Sequence, residues 1–367
     1  MPVSTVAFSG FAALAVAMGL GRFAFTPILP MMQDDAGLSI AGGGWLAAAN
    51  YMGYLAGALS AIRLPLSSVA SVRAGLVVIA VSTLAMGMQH GFAYWFALRA
   101  LAGVASAWVL VFVSTWALAK KTPAGTLYAG VGAGIAAAGV VCLALMALHA
   151  SSSAAWITLG VASFVTTAVL WRNFDFESNA TNGPAAATPG SRHCLLVLCY
   201  GAFGFGYIIP ATFLPAMAKE VIADPALFGW AWPVFGAAAA ASTLFAGSFP
   251  NQRKVWMVAT LIMALGVVLP LMIPGLPGIA LAAVLVGGTF MVITMAGMQE
   301  ARRVAAERAR PLMAAMTSAF ALGQVVGPLC VSYLGSVVYA LLAGAAILVL
   351  SAAVLLRDPF GDPTSLK

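Results

Sequence analysis

Charged side chains are almost missing from this chain over stretches of twenty residues and more, and that restricts the folds open to it. Only 7% of its 367 residues are charged, and 62% are hydrophobic. Soluble domains carry about 25% charged residues, so a water-soluble fold of this length would lack the polar surface to cover itself. A bilayer-crossing helix needs roughly 20 mostly apolar residues. Twelve segments meet that need: 4–32, 41–62, 72–89, 92–119, 126–149, 154–171, 193–219, 226–248, 254–273, 276–299, 311–334 and 336–356. Backbone groups in hydrocarbon must pair within the chain, so each is expected as a helix, and short connections make neighbours antiparallel. The reading is an all-α polytopic membrane protein with 12 transmembrane helices in two six-helix bundles. Residues 1–172 form the first bundle and 193–367 the second. The stretch 173–192, rich in Asn, Ala, Thr, Gly and Pro, is a linker by composition. No Lys or Arg precedes Gly19, so the first segment is expected as a retained helix and not a cleaved signal.

The basic residues orient the chain. With the N-terminus in the cytoplasm, fourteen of the 17 fall in cytoplasmic loops and the tail: Arg63, Arg73, Lys120, Lys121, Arg172, Arg192, Arg253, Lys254, Arg302, Arg303, Arg308, Arg310, Arg357 and Lys367. Lys219 is outside, and Arg22 and Arg99 lie within helices. That asymmetry places both termini and the linker inside. The net charge of +7 therefore concerns membrane orientation and gives no reason to expect nucleic acid. Cys142, Cys194, Cys199 and Cys330 lie in or beside apolar segments and are expected to pack as small apolar residues.

The first segment has a counterpart. GLGRFAFTPILPMM begins at Gly19, and GFGYIIPATFLPAM begins at Gly204. Gly19/Gly204, Gly21/Gly206, Leu29/Leu214, Pro30/Pro215 and Met32/Met217 coincide, each pair 185 positions apart. Gly44-Trp45 meets Gly229-Trp230 at the same spacing. The Pro, Met and Trp matches carry the weight, and they suggest a duplicated half.

Six and six helices, a central linker and a parallel repeat point to the major facilitator architecture, in which substrate binds between the halves near the midplane. The run from Gly19 to Met31, the run Gly44-Trp45 through Asn50-Tyr51-Met-Gly53-Tyr54, and Met316-Thr317 through Gln324-Val-Val-Gly327-Pro328 resemble the YbfB/YjiJ-type branch of that superfamily. The resemblance implies a bacterial inner-membrane transporter and names no substrate. Arg99-Ala-Leu-Ala-Gly103 is similar to the superfamily's R-x-x-x-G motif, whose arginine the resemblance links to the cavity and coupling. The usual G-x-x-x-D-R/K-x-G loop is altered: Gly57-Ala-Leu-Ser-Ala-Ile-Arg63 lacks the aspartate.

Arg22 and Arg99 are the chief candidates for a substrate site. A guanidinium inside a membrane costs several kcal/mol, at least about 2.5 on insertion scales, and pairs well with carboxylate or phosphate through two parallel hydrogen bonds. The competing reading is a structural arginine on backbone carbonyls. Pro27 has no N–H for the carbonyl of Phe23, so an acceptor lies nearby. By helix rise the two arginines reach a similar depth, about 12–13 Å below the outer face. Asn50, Tyr51, Tyr54, Tyr207, Thr289, Thr294 and Gln324 are the polar candidates; Asn50 and Tyr54 share a face. Interhelical hydrogen bonds are the alternative for each. Of these, Asn50, Tyr54, Tyr207 and Gln324 join the two arginines in the expected substrate set. Gly19, Gly21, Gly204 and Gly206 permit bending or, more simply, close packing. Pro27, Pro30, Pro210 and Pro215 are expected to kink their helices. Trp45, Trp230 and Trp232 suit interfacial belts.

All ten acidic residues fall outside or at the ends of the expected helices. Proton coupling would then fall to Asp34 or Asp35, which have simple exposure as their alternative, or to the substrate's own protonation. No G-x-x-x-x-G-K-S/T loop, catalytic triad or metal cluster is found, so no cofactor and no catalysis are expected. The function expected is secondary transport of a small organic solute, first an anion, with export of amphipathic drug-like compounds as runner-up. A membrane enzyme would need clustered catalytic groups, and a sensor would need a larger soluble segment than the linker. The partners are the bilayer, the solute and a candidate coupling proton, with the protein a monomer.

The basic asymmetry makes a direct prediction. A reporter fused at the C-terminus should read cytoplasmic and one placed after Lys219 periplasmic. A periplasmic C-terminus would overturn the topology.

Overall fold

The computed structural model describes residues 3–63, 67–89, 91–174, 191–221, 230–334 and 336–357, without the side chains of residues 40, 63, 191, 192, 212–221, 307 and 332. Among the described residues every element is helical. Helix α1 runs Val3–Asp35, and then follow α2 Ile40–Arg63, α3 Ser68–Met86, α4 Phe92–Ala119, α5 Ala124–Ala147 and α6 Ser152–Leu170. After residues 175–190, which lie outside the described set with most of the expected linker, come α7 Ser191–Val221, α8 Ala231–Ala246 and α9 Gln252–Met272. Helices α10 Leu276–Ala305, α11 Ala309–Leu334 and α12 Val337–Leu356 complete the chain. Among the described residues ten helices are long and apolar enough to cross a membrane; α8 is apolar but shorter.

Their beginnings follow local chemistry. Ser67, Ser151, Asn251 and Ser336 precede α3, α6, α9 and α12, and each side chain accepts the backbone N–H three residues on. Such a cap satisfies one of the donors a helix start leaves open, worth about 1 kcal/mol. Large apolar side chains such as Phe8, Val165, Phe245 and Leu350 stay exposed, as a lipid-facing surface requires. All four cysteines are free, with Cys142 and Cys199 buried.

Within lipid, helices associate through close packing and not through a hydrophobic gain, and glycines set the closest approaches. Helices α2 and α4 meet where a Cβ on Gly53 would come 2.0 Å from the Ala100 carbonyl and one on Gly103 2.2 Å from that of Asn50. Helices α5 and α8 touch along their length: Gly125 lies on Gly247, Gly132 on Gly236, and Gly139 on Pro233. Thus α5 and α8, with α2 and α11, join the helices before the linker to those after it. Because Gly103 abuts backbone, Gly103→Leu has no flexible neighbour to displace. It should destabilise the protein by about 1–3 kcal/mol or more, seen as a lowered thermal unfolding midpoint in detergent, whereas Gly44→Ala, which meets nothing within 4 Å, should leave the midpoint unchanged.

Candidate functional site

The site is built on an irregularity in α1. Val3–Leu14 and Phe25–Asp35 are α-helical, but Ala15–Phe23 between them is a π-helix. π-Segments are rare, and short ones recur at functional sites. This one leads into Pro27, which lacks an N–H for the carbonyls that would reach it, those of Arg22 in the π pattern and Phe23 in the α pattern. Side chains supply donors to these two carbonyls and to others of the segment. Arg99 of α4 donates from Nη1 to the Gly21 carbonyl (3.1 Å) and from Nη2 to that of Arg22 (3.2 Å). The Trp232 indole of α8 donates to the Phe23 carbonyl (3.2 Å). Ser106 Oγ lies 2.8 Å from the Ala17 carbonyl and 2.7 Å from that of Ala102, and its single proton serves one at a time.

Arg22 projects from this segment and is 4% exposed. Its Nε donates to Asn50 Oδ1 (3.2 Å) and its Nη2 to Gln324 Oε1 (2.9 Å). Asn50 Nδ2 in turn donates to the Arg99 carbonyl (3.0 Å), which fixes the amide with its oxygen toward Arg22. The guanidinium carbon lies 3.9 Å from the Tyr54 ring centre, with Tyr51 and Phe23 beyond at 5.8 and 5.5 Å. Nη1 is buried and has no partner. Of the six expected substrate residues, the structure brings Arg22, Asn50, Tyr54 and Gln324 into side-chain contact, with Arg99 joined to them by its bond to the Arg22 carbonyl and by the Asn50 amide. Tyr207 is 2% exposed and stands in an aromatic layer, its ring 5.3 Å from that of Phe290; Phe290 packs edge-on against Phe23 at 5.8 Å.

With the geometry in hand, comparison with known proteins is informative. A family described as "Uncharacterised MFS-type transporter YbfB" matches residues 14–356. The chain belongs to this family of transporters. No curated protein matches it. The crystal structure of the human organic anion transporter MFSD10 (TETRAN) is similar in fold, with a TM-score of 0.72 over 97% of this chain and 100% of that one, at 14% identity. Family and fold together make this a multi-pass secondary transporter.

The other expected residues of this transporter have definite places. Asp35 accepts from the backbone N–H and the hydroxyl of Ser152, so it caps the start of α6, while Asp34 is exposed. Gly19 packs on the Gly134 backbone of α5, and Gly204 on the Phe320 carbonyl of α11; Gly21 and Gly206 meet the side chains of Ile79 and Leu348. Pro30 lies inside the last α-helical part of α1. Pro215 falls in the part of α7 whose side chains are outside the described residues. Thr289 and Thr294 donate to carbonyls of their own helix.

Two expectations need correction. Helix α10 continues to Ala305, past its expected end at 299, which puts Glu300 inside a helix and 2% exposed. A buried carboxylate therefore exists. It is matched by Arg253 and Arg303, which donate to it at 2.7–2.9 Å. It lies ten residues along α10 from Phe290, about 15 Å by helix rise. Trp232, expected in an interfacial belt, is half-buried and donates inward; the signal that could have placed it is Pro27, four residues after a carbonyl that needs a donor.

Arg99 also borders a crevice lined by Gly21, Ser82, Thr83, Met86, Leu98, Ala102 and Trp156 that is too tight to admit a water molecule, far below the roughly 300–1,000 Å³ of small-molecule sites. Its two carbonyl bonds indicate a support for α1. Arg99→Gln should lower the thermal midpoint, since an unsatisfied buried acceptor costs about 1–3 kcal/mol. The check is thermal unfolding of the purified variant beside Arg22→Gln, which leaves those carbonyls paired and should cost less.

Proposed function

We propose that this transporter moves a small organic anion by alternating access, with Arg22 as the anion-binding residue. The reading divides the chain into two six-helix bundles, 1–172 and 193–367, joined by a cytoplasmic linker at 173–192. It sets the protein in a bacterial inner membrane with both termini inside. The observation that carries it is the state of the Arg22 guanidinium: buried, with Nη1 unpartnered and Nη2 held by a neutral amide oxygen. A carboxylate arriving end-on satisfies both nitrogens at once, with Gln324 Oε1 marking where one of its oxygens would stand. Charge-assisted bonds are about twice as strong as neutral ones, so the anion competes well against Gln324. Asn50 and Tyr54 hold the guanidinium in place, and Arg99 acts through α1. The nearest described buried carboxylate, Glu300, is already matched by two arginines. Any proton coupling rests on Asp34 or Asp35, or on the substrate's own protonation.

The test is a panel of organic acids, amines and neutral solutes in a thermal-shift assay on purified protein, since a ligand of the folded form raises its stability. Acids should stabilise the wild type and not Arg22→Gln. Arg22→Lys keeps the charge but loses the fork, and should weaken binding by about tenfold or more, 1.4 kcal/mol per decade. Stabilisation by amines or neutral solutes alone, or equal stabilisation of Arg22→Gln by acids, would overturn the anion site.

A further inference from the structure

The rings beside Arg22 form an ordered layer. Trp232 stacks on Phe235 (5.2 Å, 5°), Phe235 on Phe290 (5.4 Å, 24°), Phe290 on Tyr207 (5.3 Å, 17°) and Tyr207 on Phe320 (6.3 Å, 25°). Five rings from α7, α8, α10 and α11 thus stand nearly parallel in an offset row. The layer adjoins the guanidinium at two points. Phe23, next to Arg22 in sequence, packs edge-on against Phe290, and Gln324, which holds Nη2, lies one helical turn beyond Phe320 on the same face.

The repeat of 185 positions sharpens the contrast. At that spacing Arg22 falls on Tyr207, and Asn50 falls on Phe235. Equivalent places therefore carry a cation and its amide on one side and two members of the ring layer on the other. The ring side offers few polar groups besides. The hydroxyls of Thr289, Thr294, Thr317 and Ser318 all donate to carbonyls of their own helices. The cationic side offers one unpartnered terminal amino group, Arg22 Nη1; Arg99 has both terminal nitrogens on α1 carbonyls and only its Nε open.

Resting on the anion reading above, we propose that the substrate is a flat aromatic monocarboxylate, its carboxylate on Arg22 and its ring slotted against the layer formed by Tyr207, Phe290 and Phe320. A single carboxylate matches the one guanidinium with an open terminal nitrogen. A second charge would lie among rings without a partner, which burial penalises. A polyhydroxylated acid would lose its water without gaining donors in exchange. An aromatic ring gains stacking beyond its area, about 0.5–1.5 kcal/mol per ring pair, and an aliphatic chain does not. One helical turn, about 5.4 Å, separates the Gln324 and Phe320 positions, similar to the distance between a carboxylate and the far ring of a fused aromatic acid.

Four probes against the purified full-length protein in nanodiscs decide this: 2-naphthoate, octanoate, 2,6-naphthalenedicarboxylate and 2-naphthamide. Binding is read by equilibrium dialysis, with Arg22→Gln in parallel to subtract partition into lipid. The expected result is 2-naphthoate binding at least about tenfold tighter than octanoate and than the dicarboxylate, with the amide not bound above the Arg22→Gln background. Phe290→Leu should lower naphthoate affinity more than octanoate affinity. Should that variant fold poorly, the probe series on the wild type stands alone. Octanoate binding as well as naphthoate overturns the aromatic class and leaves the anion site standing. Equal binding of the dicarboxylate overturns the single-charge requirement. If neither monocarboxylate binds, or if Arg22→Gln binds both as the wild type does, the anion site fails and this inference with it.

Discussion

A free carbonyl inside a bilayer has no water to turn to, and each one left open there costs several kcal/mol. This fact organises the first helix and, through it, the site. The π-segment Ala15–Phe23 and Pro27 leave carbonyls without their usual donors, and α1 holds together because neighbours provide replacements. Arg99 reaches the Arg22 carbonyl and that of Gly21 before it, Trp232 reaches that of Phe23, and Ser106 lies within reach of that of Ala17. Those donors in turn demand closeness. Asn50 reaches the Arg99 carbonyl because Gly53 and Gly103 let α2 and α4 touch backbone to backbone. The glycines, the arginine and the proline are thus parts of one solution to one problem.

The same network spreads unequally across the molecule. On the side of α1–α6, the Arg22 guanidinium is fixed by Asn50, by the Tyr54 face and by the backbone that Arg99 braces. Toward α7–α12 it has a single bond to a neutral amide, and Trp232 adds one indole bond to the Phe23 carbonyl. Interhelical hydrogen bonds of this kind in membrane proteins are each worth only about 0.6 kcal/mol on average. A cation held firmly from one side and loosely from the other suits the alternating access proposed above: separation of the two sides would break weak bonds and leave Arg22 in place. The glycine contacts between α5 and α8 make a smooth seam for the same movement, because small residues interlock without long side chains to withdraw.

Much of the helical architecture was legible in the sequence, because the signal for it is coarse. Twenty apolar residues between short polar turns read as a helix whatever the details, and the ends erred by several residues, as at α10. There the apolar run stops at 299 while the helix continues to Ala305 under the two arginines that neutralise Glu300. Arg22, Asn50, Tyr54 and Gln324 were legible as candidates because polar groups in apolar helices stand out. Their assembly was not, since Arg22 and Gln324 are 302 positions apart and periodicity says nothing about which helices become neighbours. The aromatic layer was hidden for the opposite reason: Phe235, Phe290 and Phe320 look like any apolar residue in a spanning helix. The π-segment left one trace, the proline at 27.

Arg22 and Arg99 show why residue type and depth do not decide a role. Both are arginines, both are at most 4% exposed, and they are linked through Asn50 and by the bond from Arg99 to the Arg22 carbonyl. From sequence they make an equal pair, and two cations so placed would both seem to await an anion. The backbone breaks the tie. The carbonyls of Gly21 and Arg22 carry partial negative charge, and because the helix does not use them in the ordinary way they are open to a donor from outside. A guanidinium with its planar fork spans two such oxygens on successive residues, which a lysine's point charge does not match. Arg99 is consumed by that geometry, with the Phe25 ring under it at 4.6 Å. Arg22 is the residue whose own carbonyl Arg99 binds, so its side chain must point elsewhere, toward α2 and α11. One arginine therefore makes the irregular helix possible, and the irregular helix presents the other with one amino group still unmatched. The open terminal nitrogen lies on Arg22, at the junction of the two sides.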